Sequence, residues 1–251
     1  VSIVLNLKGA RLKIERAKKH IADLDTERLK FLGTEDYLGV PKFDPAEGKT
    51  VFVLEELPEI PESMGLILGD AAHNLRTALD YLACELVRSS KKEPGGGVYF
   101  PISNSAKEYE AESGGKTKGI PDEAKKIIDS IHPYLGGNNT LWAIHELDRV
   151  DKHRLVPTVA MRVGRWGINL TSEPTEISMA FPTALEKGDV IGWVAGNHEA
   201  DRQMSVTADI TFGEPEILQG RPMIETLGEM VQMVEAVITH FETHYPPFRP
   251  L

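Results

Sequence analysis

The sequence predicts an α+β protein, and three observations carry that prediction. Residues 8–31 and 65–87 repeat apolar side chains at the helical period. From Leu155 the texture changes to short β-branched runs separated by Gly, Pro, Asn and Asp. At Pro222 the helical period returns. Helices, then sheet, then helix is an α+β order. The predicted organisation is a helical bundle over residues 1–153 with a short strand near 49–55, an antiparallel β-meander over 154–213, and a C-terminal helix within 214–251 that packs back on the bundle.

Residues 8–31 set Leu12, Ile14, Ala17, Ile21, Leu24, Arg28 and Phe31 near helical spacing among many charges. This predicts one amphipathic helix of about six turns. Residues 33–48 read as a loop. KTVFVLE at 49–55 is β-branched and aromatic and predicts a short strand, ended by Pro58 and Pro61. A long helix covers 65–87. KKEPGGG at 91–97 reads as a turn, and YFPI at 99–102 as a short extended segment. A helix is expected over 105–112, with a flexible stretch over 113–119. Pro121 with Asp122 and Glu123 opens a helix that Pro133 limits. Another covers 139–152, capped by Asn139 or Thr140.

The runs LVPTVAMRV, INLTS, EISMAF, VIGWVA and QMSVTADITF then read as strands, with turns at GRWG (164–167) and EKGD (186–189). Residues 222–244 align Met223, Leu227, Met230, Val231, Val234, Val237, Ile238 and Phe241 on one side of a final helix, which Pro246 and Pro247 end.

Length allows one large domain or two small ones. A net charge of −10 argues against a broad footprint on duplex DNA. Cys84 is the only cysteine, so no internal disulfide and no multi-cysteine zinc site can form, which fits a reducing, cytoplasmic setting. No apolar run reaches the roughly 18 residues of a membrane span. Residues 1–7 are too short for a signal-peptide core.

The chemistry concentrates on two helices. At about 100° per residue, Leu68, Ala71, Leu75, Ala78, Leu79, Leu82 and Leu86 share one face of the 65–87 helix. Asp70, His73, Asn74, Thr77 and Tyr81 line the opposite face, with Arg76 and Asp80 at its border. An ordinary surface helix carries Lys and Glu there instead. On the 139–152 helix, Ala143, Leu147 and Val150 form the apolar side. His145, Arg149 and Lys152 lie within about 60° of one another, with Asp148 and His153 at the flanks. If these helices pack side by side, the pocket between them offers a general base, an oxyanion or phosphate clamp and an orienting carboxylate. The same residues equally describe a buried ion-pair network without activity.

Two weaker motifs remain. His240 and His244 are four apart, a metal-compatible spacing without an evident third ligand, so no metal or other cofactor is expected. The glycines at 94–97 and 113–119 match no phosphate loop.

GDAAHNLRTALDYL, then YFPI, then IHPY, then HELDRVDKHR resembles a family of bacterial proteins of similar length that shares GDxxHNLRxALD and DKHR motifs. The resemblance covers roughly residues 10–160. That family's Arg-then-His spacing is similar to the signature of HEPN-domain proteins, helical bundles that include metal-independent ribonucleases acting as dimers. The Arg corresponds to Arg76, but Tyr81 stands in the His position. A phenol with a pKa of about 10 is a poor base at neutral pH.

The resemblance implies a HEPN-like or degenerate enzyme that acts on or holds RNA or a nucleotide. Arg76 would hold a phosphate, His73 would transfer a proton and Asp80 would orient it. Asp70, Asn74, Tyr81, His145, Arg149, Lys152 and His153 would be the binding residues. The other reading, favoured by the acidic balance and by Tyr81, is a non-catalytic binding or interaction module. A homodimer is expected through the 8–31 or 222–244 helix, because one bundle would leave part of their apolar stripes uncovered.

Overall fold

The computed structural model describes residues 5–32, 37–55, 59–153, 158–169, 175–180, 185–198 and 203–244. The α+β class is as predicted, with strands preceding the C-terminal helix. The helices are α1 (Lys8–Leu32), α2 (Glu62–Ser89), α3 (Ala106–Lys116), α4 (Asp122–Ser130), α5 (Asn139–Asp151) and α6 (Met223–His244). The strands are β1 (Tyr37–Asp44), β2 (Lys49–Leu54), β3 (Thr158–Asn169), β4 (Ile177–Met179), β5 (Val190–Ala195) and β6 (Gln203–Phe212). The described residues fall into two compact units, one within 5–25, 65–153 and 224–244, the other within 26–64 and 158–223.

The first unit is helical, and α2 is its centre. Leu68, Ala71, Leu75, Ala78, Leu79, Leu82 and Leu86 are all fully buried, as their shared face predicts. Each buried leucine contributes about 1.5–3 kcal/mol relative to an exposed one. From α1, Ala10, Ile14 and Ala17 are buried at the same period. From α6, Met223, Leu227, Met230, Val231, Val234, Val237, Ile238 and Phe241 are all buried. The α6 stripe is therefore buried within the chain, whereas Leu12 of the α1 stripe and Leu29 stay exposed. Arg11 reaches Thr239 (2.9 Å) and Glu242 (2.5 Å), and Lys18 reaches Glu235 (2.7 Å), fixing the polar border between α1 and α6. Such exposed pairs contribute at most about 1 kcal/mol each.

Helix α3 runs on through Ser113, Gly114 and Gly115, where the sequence predicts flexibility. Two anchors account for this. Ser105 caps the start by accepting from Glu108 N, and Thr117 closes the end on the Ser113 carbonyl through both its backbone N–H and its hydroxyl. Between them Tyr109 is buried and donates to Asp129 at 2.6 Å. Helix α5 is capped by Asn138, whose side chain accepts from Leu141 N, rather than by Asn139 or Thr140. Asn139 is engaged in the preceding turn, where its side chain accepts from Gly136 N at 2.8 Å.

The second unit holds a six-stranded antiparallel sheet in the order β3-β6-β1-β2-β5-β4. Its two inner strands, β1 and β2, come from the N-terminal part of the chain. The sheet is thus drawn from 37–54 as well as from the 154–213 segment, and the β1–β2 hairpin separates β6 from β5. The expected loop at 33–48 contains β1, whose Pro41 hides a strand from a pattern reading. Pro41 is tolerated because β1 pairs with β6 only through Tyr37, Leu38 and Gly39, and beyond that point only with β2. The hairpin turns at Asp44, whose carboxylate accepts from Ala46 N, and at Gly48, whose φ of 64° suits glycine. The expected turn at 164–167 lies inside β3, where the register against β6 shifts between Val163 and Arg165. The glycine there marks a bulge rather than a reversal. Phe52, Leu54, Leu185, Ile191 and Val194 form this unit's core, with Phe31, Leu32, Ile60 and Met179 packed against it.

Leu79→Ala removes a fully buried α2 side chain. It is expected to lower the unfolding free energy by about 2–5 kcal/mol. Urea unfolding followed by far-UV circular dichroism measures the change.

Candidate functional site

Helices α2 and α5 do bring the two chemical clusters together. They approach closely at Gly69, where an added Cβ would run into the Asp151 carboxylate. Down the helices from that contact, two networks form.

The outer network centres on Asp148, which is 2% exposed. His73 Nδ1 lies 2.8 Å from its Oδ1, and Lys152 Nζ donates to its Oδ2 at 2.6 Å. An ionised carboxylate only accepts, so the His73 Nδ1 donates to it, with Nε2 on the far side of the ring. That Nε2 lies 3.5 Å from the Thr77 hydroxyl, which itself donates to the His73 carbonyl at 2.8 Å. The His73 side chain is 48% exposed.

The inner network centres on Arg76, which is 6% exposed. Its Nη2 donates to the Phe100 carbonyl at 2.8 Å, and its Nε donates to His145 Nδ1 at 3.3 Å. Its Nη1 meets Asp80 Oδ1 at 2.7 Å as an ion pair without an aligned hydrogen bond. The same Asp80 oxygen accepts from Phe100 N at 2.9 Å. Burial pushes the Asp80 carboxyl up, against the opposing pull of Arg76. Burial also pushes His145 down to about 4, helped by the Arg76 and Lys116 charges. His145 is therefore a neutral acceptor at neutral pH, with its proton on Nε2. The Asp151 carboxyl is pushed up by burial and then by Asp70 and Asp148.

The remaining expected residues lie elsewhere. Asn74 is buried and turned toward α1, donating to the Asp70 carbonyl and accepting from Lys13 at 3.2 Å. Asp70 is exposed and lies 4.0 Å from His20. Tyr81 is 43% exposed, and its ring occupies the space where a Cβ on Gly9 would sit. Arg149 is exposed and pairs with Glu146 at 2.5 Å, a neighbour on its own helix. His153 is exposed just past α5, and Arg154 of the DKHR motif lies outside the described residues.

So His73 and Lys152 meet on Asp148, and Arg76, Asp80 and His145 meet one another, while Asp70, Asn74, Tyr81, Arg149 and His153 join neither network. The reading missed the central part of Asp148, which it set at a flank of α5. Its signal was a carboxylate bordering an apolar stripe, one turn before Lys152. The Phe100 backbone contribution has no side-chain signature at all.

His240 is exposed, and the side chain of His244 lies outside the described residues. Among the described residues no group of three or more His, Cys, Asp and Glu side chains is arranged to hold a metal ion. No described helix is long and apolar enough to cross a membrane. No protein-family model, curated protein or solved structure matches this chain.

Two expectations follow from this geometry. Because folding lowers the His145 pKa from 6.5 to about 4, the unfolded chain takes up that proton first as pH falls. The His145 contribution is then complete above about pH 6.5 and declines toward about pH 4, by on the order of 3 kcal/mol. The raised Asp80 and Asp151 carboxyls act in the opposite sense. Comparing melting curves of wild type and His145→Asn across that window isolates the histidine: the variant should lose less stability on acidification. Separately, Gly69→Ala should cost about 1–3 kcal/mol, and Asp151→Ala should relieve part of that cost. A double-mutant cycle reads the coupling.

Proposed function

We propose that this chain is a non-catalytic binding or interaction module in which the α2–α5 cluster is a structural network. The observation that carries this reading is the burial of Arg76. Its side chain is 7% exposed and held among Phe100, His145 and Asp80, which keeps it out of reach of a phosphate. Tyr81, in the position of the HEPN-like histidine, is an exposed phenol against α1. The acidic balance of the chain adds support. A cytoplasmic setting, consistent with a single half-buried Cys84, belongs to the same proposal.

One observation favours a second reading. His73 is oriented by a buried carboxylate and its side chain is 48% exposed, which suits a proton-transfer group. In this alternative the chain is a HEPN-like, metal-independent ribonuclease or nucleotide-binding protein, with His73 as base and Asp148 as its orienting partner. Arg76 and Asp80 then serve to position the helices.

One set of variants separates the two. Arg76→Ala leaves Asp80 without its cation; removing one member of a buried pair costs about 3–5 kcal/mol, and the partial exposure of Asp80 brings this to a fall of several degrees in Tm. An unchanged Tm rejects the structural role. Incubation of mixed RNA with wild type and with His73→Ala tests the alternative. Cleavage that disappears in a normally folded His73→Ala variant establishes it, and absence of cleavage by wild type rejects the catalytic form.

A further inference from the structure

The two glycine-rich stretches that match no phosphate loop come together in space. Gly95 and Gly97, from the loop after α2, and Gly115 and Gly119, from the end of α3 and its following turn, line a cavity of about 520 Å³. That volume falls within the range of about 300–1,000 Å³ typical of small-molecule sites. Val87 and Val98 supply buried apolar surface to its lining. Lys92 and Lys118 stand exposed at the rim with Glu93, and neither lysine has an ion-pair partner among the described residues. The rim is thus locally cationic on a chain whose net charge is −10.

The glycines themselves carry the argument. Gly119 has a φ of 94° and needs to be glycine. Gly95, Gly97 and Gly115 have no such conformation, and a Cβ at any of them would meet nothing within 4 Å. Neither backbone conformation nor close packing demands glycine at these three positions. Gly115 even lies in the last turn of α3, where glycine is a poor helix former. Their common effect is to leave the cavity free of side chains at these positions.

We propose that this cavity binds a small molecule built from a flat unsaturated ring and one anionic group, a carboxylate or a phosphate. The ring packs on the glycine backbone, and the anion sits at the Lys92 and Lys118 rim. The site is separate from the α2–α5 networks, and its test is independent of their role.

The experiment is a nitrogen–proton correlation NMR titration of the full chain, because glycine amides resonate apart from the rest. The probes are adenosine 5′-monophosphate, 2-naphthoate and uncharged adenosine. The expected result is saturable shifts of the Gly95, Gly97, Gly115 and Gly119 amides with at least one anion. The anion that saturates first tells phosphate from carboxylate. Adenosine should bind about tenfold more weakly than adenosine monophosphate, the equivalent of one modest charge interaction. The double variant Lys92→Glu, Lys118→Glu should weaken the anions by a similar factor and leave adenosine unchanged. Gly115→Leu should abolish the shifts while keeping or raising Tm, since it fills the hollow and removes a helical glycine. Absence of saturable shifts with both anions at millimolar concentration overturns the proposal. So do shifts that survive Gly115→Leu, or adenosine binding as tightly as the anions.

Discussion

Arg76 and Asp80, one turn apart on α2, grip the two peptide groups of a single residue. The guanidinium takes the Phe100 carbonyl and the carboxylate takes the Phe100 N–H. The pair acts as a strand edge would, satisfying backbone that would otherwise be buried without partners. The aromatic ring of Phe100 is then fully buried, and Ile102 beside it is 1% exposed. A segment with no regular secondary structure is thereby fixed to the central helix, and α3 and α4 start from a defined place. The burial of Arg76 is offset by hydrogen bonds from Nε and Nη2 and by the Asp80 charge beside Nη1. The neutral state of His145 is part of that arrangement, since a second cation beside the guanidinium would repel it.

The same helix pair puts two imidazoles in opposite circumstances. His145 points into the protein, is held neutral by burial and accepts from Arg76. His73 is half-exposed and donates to a buried carboxylate. Composition treats them as equivalent, and chemistry does not: one stabilises the packing and the other remains available to an approaching group. Asp148 makes the difference, because its burial is offset by one donor on each oxygen, His73 and Lys152. The close approach at Gly69 sets the separation that lets both donors reach it.

Much of the helical unit was legible in the sequence because amphipathic period is a direct record of burial. The apolar face of α2 and the stripe of α6 could be named residue by residue. Angular position on a helix does not identify the neighbour, however. Asn74 and His73 are adjacent on α2, yet one turns to α1 and the other to α5. Arg149 shared an arc with His145 and Lys152 but found Glu146 on its own helix first. The sheet was read less well, since its signals compete with special residues. Pro41 masked β1 and Gly164 suggested a turn within β3. Pairing with strands distant in sequence leaves no trace in any local window. The Asn138 cap shows the same limit on a smaller scale: three adjacent residues all cap well, and only the turn before them decides which one is free.

The strand order has a consequence for how this protein is made. The β1–β2 hairpin is the inner pair of the sheet, but its neighbours β5 and β6 begin only at Val190 and Gln203. During synthesis from the N-terminus the hairpin therefore emerges long before either neighbour exists. Both of its edges wait as open templates, and TVFVL is the kind of segment that pairs with another nascent chain. Charges flank it: Lys42 pairs with Glu55, and Lys49 pairs with Glu47. In the finished sheet these are surface ion pairs of small energetic value. Charges flanking an apolar strand in this way discourage pairing with a wrong partner while its edges are open.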